Sequence, residues 1–272
     1  MRPPRSRGDR ALLMAYRLAC TAVLAFLLLP VLAVIPLSFN AGSFLTYPMT
    51  GWSLRWYEDF FTSARWLAAS RNSAFIGVLA TILATALGTA AALGLDQLGR
   101  RRRQALAAFF ILPVVVPVVV IGSSLYALMA PLGLTNGYFG LVMAHALLGA
   151  PFVVITVSAT LRGFDRNLSR AALGLGAAPL TAFRMVTLPL ILPGVVSGAV
   201  FAFATSFDEI VVTLFLAGPQ QRTLPLQMFD GVREQISPTI TAAATLLFLL
   251  AVALVGVVEL LRRRTERLRG PA

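Results

Sequence analysis

Few side chains in this sequence are placed to do chemistry, and the types that are scarce narrow the choices. Two adjacent carboxylates, Asp208 and Glu209, stand in an apolar stretch; there is one histidine, His145, and one cysteine, Cys20. A carboxylate inside a membrane is costly and marks an ion or substrate path, where it attracts a cation. One His and one Cys are too few for a disulfide framework or an all-protein zinc site, so no metal and no cofactor is expected. Cys20 is read as a buried, inert residue and His145 as a hydrogen-bonded helix contact. All 23 basic residues are arginines. A nucleotide-binding P-loop needs a lysine to reach the phosphates, so any ATP chemistry that drives this chain belongs to another protein.

The elements that position these residues are membrane spans. The composition is 58% hydrophobic and 12% charged, whereas a soluble chain carries about 25% charged residues. Six segments, 18–37, 72–95, 105–130, 138–161, 191–217 and 238–261, are apolar enough to cross a bilayer, whose hydrocarbon core is about 30 Å thick. The reading is an all-α polytopic membrane protein with six transmembrane helices. A basic tail at 1–17, expected to be disordered, precedes a transmembrane domain at 18–261, and a second basic tail at 262–272 follows. The first apolar run is too long for a cleavable signal and is expected to persist as a helix. Aromatic residues at 40–71, among them Trp52, Trp56, Tyr57 and Trp66, favour the membrane–water interface. Pro113 and Pro117 are expected to kink the third span, with Arg100 to Arg103 in the short loop before it.

Eighteen of the 23 arginines fall in the two tails and in the loops after the second and fourth spans; five fall on the other side. The positive-inside rule therefore places both termini and the 162–190 loop in the cytoplasm. Arginines at span ends also account for the net charge of +12 through contact with membrane lipid, without nucleic acid as a partner. Asp208 and Glu209 lie 17 to 18 residues into the fifth span, roughly 26 Å from its cytoplasmic start. At most one of the two can face a pore squarely. A structural role, at the interface or paired with an arginine of a sister subunit, stays open beside the substrate-path role.

The 162–190 loop is patterned. Asp165 is placed to cap a short helix through Leu173, Gly174 and Gly176 to break it, and Pro179 to open a second one. The second piece carries an apolar stripe of Leu180, Phe183 and Val186. Ala171 and Ala172 form a small patch that permits close approach by another protein. Two short helices with a joint between them suit docking into a partner's groove. Pro189 and Pro193 are expected to end the loop and set the angle of the fifth span.

Ala171-Ala172, then Gly176 after three residues, then Val186, Leu188 and Pro189 after nine more, resembles the EAA loop of ABC importer permeases. The segments WSLRWYEDFF, RGFDRNLSRAALGLGA and TSFDEIVVTLFLAGPQQRTLPLQMFDGVREQISP are similar to the second permease of spermidine/putrescine-type importers. The resemblance implies the six-span type I (MetI-like) permease fold in a bacterial inner membrane. It also implies a sister permease, two ATPase subunits and an extracytoplasmic solute-binding protein. The loop residues Arg170, Ala171, Ala172, Gly176, Val186, Leu188 and Pro189 would then dock the ATPase. Arg170 departs from the family pattern, which has an acid at that position, so that contact is either reversed in sign or lost. The implied cargo is a small solute, best matched by a polyamine, with opines, quaternary amines or ferric ion as the other solutes of such carriers. The alternative from another class, a stand-alone secondary transporter or channel, would need inverted repeats and its own coupling-ion site.

Overall fold

The computed structural model describes residues 7–234 and 237–269. These residues are mostly helical. Helix α1 is Arg7–Leu37, α2 is Arg55–Thr62 and α3 is Ala64–Asp96. A broken pair follows, α4 (Arg100–Val115) and α5 (Val118–Met129), and then α6 (Tyr138–Leu161). The patterned loop contains α7 (Arg166–Gly174) and α8 (Pro179–Ala182), the latter joined by a π turn, Phe183–Thr187, to α9 (Leu188–Phe207). The chain closes with α10 (Val211–Leu216), α11 (Leu224–Glu234) and α12 (Pro238–Arg269). Five helical stretches are individually long and apolar enough to cross a membrane, and the α4–α5 pair, bent by 98°, makes six if taken as one span.

Four boundaries differ from the sequence reading. The segment expected to be a disordered tail is helical from Arg7, and the second tail continues α12 as far as Arg269; residues 1–6 and 270–272 lie outside the described residues. Arg100 to Arg103 are not a loop but the first turn of α4. The third span is turned rather than kinked. Proline disfavours the helical region for its predecessor, and Val116, before Pro117, is extended at φ −72° and ψ 133°. Pro113 stays within α4. The fifth span begins earlier and ends earlier than its apolar run. Its helix is continuous from Pro179 through the π turn, past Pro189 and Pro193, and stops at Phe207.

The chain divides into two compact units. The first, Met1–Ser63 with Gly231–Phe248, is organised around buried Asn40. Its amide donates to the Phe44 carbonyl, and its side-chain oxygen accepts from the backbone N–H groups of Gly42 and Thr50. The Trp56 indole N–H donates to the Asn40 carbonyl at 2.7 Å. These bonds fold the aromatic segment into a fixed loop before α2. Cys20, on α1, is half-buried rather than buried.

The second unit, Ala64–Asp230 with Leu249–Ala272, holds the core. One cluster joins α3, α6 and α9 through Ala84, Val153, Val157, Leu161, Ile191 and Ala202. Another joins α3, α5, α6 and α10 through Ile76, Ile121, Leu141, Leu148, Val212 and Leu216. The helices of the first cluster approach closely because glycines stand at the crossings, as small residues permit in membranes. A Cβ on Gly198 would lie 2.5 Å from Thr156 Oγ1 and 2.8 Å from Val153 Cα.

Candidate functional site

The loop between α6 and α9 follows from local chemistry. Asp165 is extended at φ −79° and ψ 108°, and its carboxylate accepts the Asn167 N–H at 2.9 Å, so it caps α7 as its type predicts. The far end of α7 is a Schellman stop. Gly176 has φ +89°; its N–H donates to the Leu173 carbonyl at 3.0 Å, and the Ala177 N–H donates to the Ala172 carbonyl at 3.1 Å. A left-handed residue is required there, and glycine adopts that backbone without a steric penalty. Pro179 opens α8 at the first helical position. The spacing from Ala171-Ala172 to Gly176 is thus the last turn of a helix followed by its stop signal.

The second half of the patterned segment is not a separate helix but runs on into α9. Val186 sits in the π turn, and Leu188 and Pro189 are the first residues of α9. Leu188 packs against the core cluster of α3, α6 and α9, so it anchors the loop to the bundle. The Ser169 and Thr187 hydroxyls meet at 3.0 Å and hold α7 against the π turn. Arg166 reaches the end of α3, pairing with the Asp96 carboxylate at 2.7 Å and donating to the Asp96 carbonyl at 2.7 Å. Arg170, Ala171 and Gly176 are exposed, and Ala172 is half-buried. Two exposed apolar residues escaped the sequence reading: Leu175, 89% exposed, and Met185, 76% exposed. Their signal was a large apolar side chain in an otherwise polar loop. Together with Leu173 and Leu180, also exposed, they give this surface an apolar character suited to a protein partner.

Asp208 and Glu209 do not lie within a continuous helix. Asp208 is the C-cap of α9, and the backbone breaks from there to Ile210 before α10 begins. The break separates the two carboxylates in role. Glu209 turns back, and its Oε1 accepts the Val212 N–H at 2.7 Å. Asp208 is exposed. Beneath this break lies His145, completely buried on α6. Its Nε2 is 3.0 Å from Thr213 Oγ1, and its Nδ1 is 2.9 Å from Ser206 Oγ. Nδ1 also lies 3.1 Å from the Ser206 carbonyl, and Thr213 gives its hydroxyl hydrogen to the Glu209 carbonyl at 3.1 Å. The imidazole therefore ties α6 to both sides of the break. On the same unit, the Asn72 amide donates to the carbonyls of Gln220 and Arg222 at 2.8 and 2.9 Å, and Tyr138 donates to its oxygen at 2.9 Å. Among the described residues no cluster of His, Cys, Asp and Glu could hold a metal ion.

The long apolar helices define a multi-pass membrane protein that is mostly helical among the described residues. Residues 84–267 match the family described as binding-protein-dependent transport system inner membrane component, and the chain belongs to that family. It is 34% identical over 244 residues to the spermidine/putrescine transport system permease protein PotC of Haemophilus influenzae, covering 90% of this chain and 95% of that protein. It is 37% identical over 252 residues to the putrescine transport system permease protein PotI of Escherichia coli, covering 90% and 89%. Among solved structures, a bacterial ABC transporter involved in the import of the acidic polysaccharide alginate has a similar fold. Its TM-score is 0.74 at 16% identity, covering 94% of this chain and 98% of that one. The alginate transporter in complex with its alginate pentasaccharide-bound periplasmic protein aligns with a TM-score of 0.69 at 17% identity, covering 94% and 96%.

Proposed function

We propose that this chain is one of two permease subunits of an ATP-driven polyamine importer, carrying spermidine or putrescine inward. The observation that carries the reading is the similarity to two polyamine permeases along nine-tenths of the chain. A solute-binding protein delivers the cargo on the extracytoplasmic side, and a sister permease completes the path. Two separate ATPase subunits hydrolyse ATP, since a chain without lysine has no P-loop of its own. The permease domain is 18–261, both termini face the cytoplasm, and the segment 162–190 couples to the ATPase. Leu173, Leu175, Leu180 and Met185 join Arg170, Ala171 and Gly176 on the docking surface. The exposed arginine at position 170 meets an acidic or neutral partner surface.

Asp208 is the acid assigned to the solute path, at the end of α9, while Glu209 holds α10 in place. The test is uptake of labelled putrescine and spermidine by cells that lack their own carriers and express this chain with its neighbouring subunits. Uptake should depend on ATP, and Asp208→Asn should lower it about tenfold, the scale of one charged hydrogen bond. Absence of uptake by an assembled complex would overturn the polyamine assignment. Unchanged uptake in Asp208→Asn would remove Asp208 from the path. An ATPase subunit should also follow the chain through detergent purification; its absence would favour a stand-alone secondary transporter.

A further inference from the structure

Helices α3, α4 and α6 enclose a cleft in two parts that neither the solute path nor the docking surface uses. The apolar part, about 350 Å³, runs between Gly88 and Ala91 of α3, Phe110 and Pro113 of α4, and Leu147 and Ala150 of α6. The polar part, about 270 Å³, lies along the same three helices and is lined by Asp96, Arg103, Gln104, Ser158 and Arg162. On α3 and α6 the polar lining follows the apolar lining toward the C-terminus; on antiparallel α4 it precedes it. The two parts are therefore stacked in one direction, apolar within the bundle and basic at the end where the 162–190 loop begins.

The charge at the basic mouth is unbalanced. Asp96 is already paired with Arg166, whereas Arg103 and Arg162 make no ion pair among the described residues. Helix α4 opens with four arginines, no acid in its first turn and no side-chain cap at Gly99. The positive end of its dipole meets the negative ends of α3 and α6 at this mouth, so the arginine side chains carry the preference for an anion. Arg103 is half-buried, while Arg100, Arg101 and Arg102 are exposed, so Arg103 is the one of the four directed into the cleft. A cationic solute is repelled here, and a purely apolar ligand leaves two arginines unmatched. A molecule with a phosphate and an alkyl chain satisfies both parts. We propose that the cleft binds one anionic phospholipid, with its phosphate on Arg103 and Arg162, assisted by Ser158 and Gln104, and an acyl chain between α3, α4 and α6. Basic pockets between membrane helices on the cytoplasmic side are physically suited to such headgroups. Arg162 ends α6 four residues before Arg166, so an occupied site braces the base of the coupling loop.

The full chain, purified in detergent with the subunits that follow it, is titrated with dioleoyl phosphatidylglycerol, dioleoyl phosphatidylcholine and inorganic phosphate. The readout is the thermal unfolding temperature. Phosphatidylglycerol should raise it in a saturable way, and the other two should not. Neutralising Arg103 or Arg162 to Gln should weaken the half-saturating concentration roughly fivefold each, and the double variant about thirtyfold, from about 1 kcal/mol per arginine near a headgroup. The matched control, Arg101→Gln with Arg102→Gln, removes the same charge outside the cleft and should keep the wild-type titration. Ala91→Phe, which obstructs the apolar part while leaving the arginines, should weaken phosphatidylglycerol as well. An equal loss in the matched control would reduce the effect to general surface charge and overturn the site. So would an equal shift with inorganic phosphate, or no preference for phosphatidylglycerol, which would leave the cleft to a protein segment.

Discussion

Gly176 offers the most discriminating test of the coupling loop, because its surroundings separate two explanations that are usually entangled. A side chain added there meets nothing within 4 Å, so bulk alone costs nothing inside the chain. The backbone is the constraint, at φ +89°. A residue with a Cβ pays about 1–2 kcal/mol for left-handed geometry, and Asn pays less than Ala or Val because its short side chain bonds locally. That energy is large for its setting. Helix α7 has nine residues, below the roughly 12–15 at which isolated helices hold together, and 1–2 kcal/mol changes an ordered fraction by a factor of about 5–30. Gly176→Val is therefore expected to cut ATP-dependent uptake several-fold, with Gly176→Asn intermediate. Membrane insertion and global unfolding temperature should hardly move, because the affected hydrogen bonds end one short helix. Reconstituted vesicles, assayed for uptake and for ATP hydrolysis, give the readout. Wild-type coupling in the Val variant would refute the backbone argument. Equal damage by Val and Asn would refute it too, since an obstructed partner surface, not a strained turn, would then be responsible.

Further expectations rest on other contacts. Asp165→Ala removes the cap from α7 and should cost about 1 kcal/mol locally, visible as faster amide exchange at Asn167 and Leu168 and slower at none. Gly198→Ala forces a methyl against Thr156 and the Val153 backbone and should lower stability by about 1–3 kcal/mol, measured by thermal unfolding in detergent; an unchanged midpoint would mean that the α6–α9 crossing is looser than described. His145→Ala takes the partner from the buried Ser206 hydroxyl, while Thr213 keeps the Glu209 carbonyl, and should cost about 1–3 kcal/mol for the unsatisfied group, with uptake falling more than in a volume-matched change elsewhere on α6. The Arg166–Asp96 pair is half open to solvent on the arginine side, so Arg166→Gln should shift global stability by less than about 1 kcal/mol while measurably weakening co-purification of the ATPase.

The spans and the loop were legible because their signals are local. Hydropathy over 20 residues marks a crossing segment, and Asp165, Gly176 and Pro179 each occupy the one helix position that their side chain or backbone favours. What the sequence hid is where apolar runs change direction. Pro113 and Pro117 look alike in a hydrophobic span, yet only Val116 before Pro117 leaves the helical region. The run from Ile191 to Ala217 reads as one helix because Val211–Leu216 is as apolar as the residues before it, although Asp208 ends α9. That hidden break decides the candidate site, since it frees Asp208 and turns Glu209 into a cap. The loop's anchoring was concealed for a related reason. Leu188 and Pro189 carry the same motif as the docking residues, and only tertiary packing shows that Leu188 faces the core. Arg100 to Arg103 read as a loop because charge is the strongest surface signal available, and helix propensity for arginine is equally good.

The helix from Pro179 to Phe207 has 29 residues, about 43 Å at 1.5 Å per residue, and carries the π turn, Pro189 and Pro193 along it. One of its ends belongs to the loop assigned to the ATPase and the other carries Asp208. An unbroken helix of that length joins its two ends mechanically. If the loop is displaced, the acid is displaced in the same movement, and a solute that restrains the acid resists the loop with equal force. Loading at one face and the power stroke at the other are then a single coordinate rather than two steps in sequence. A state with ATP engaged and the Asp208 end unmoved would need this helix to bend at the π turn or at Pro193.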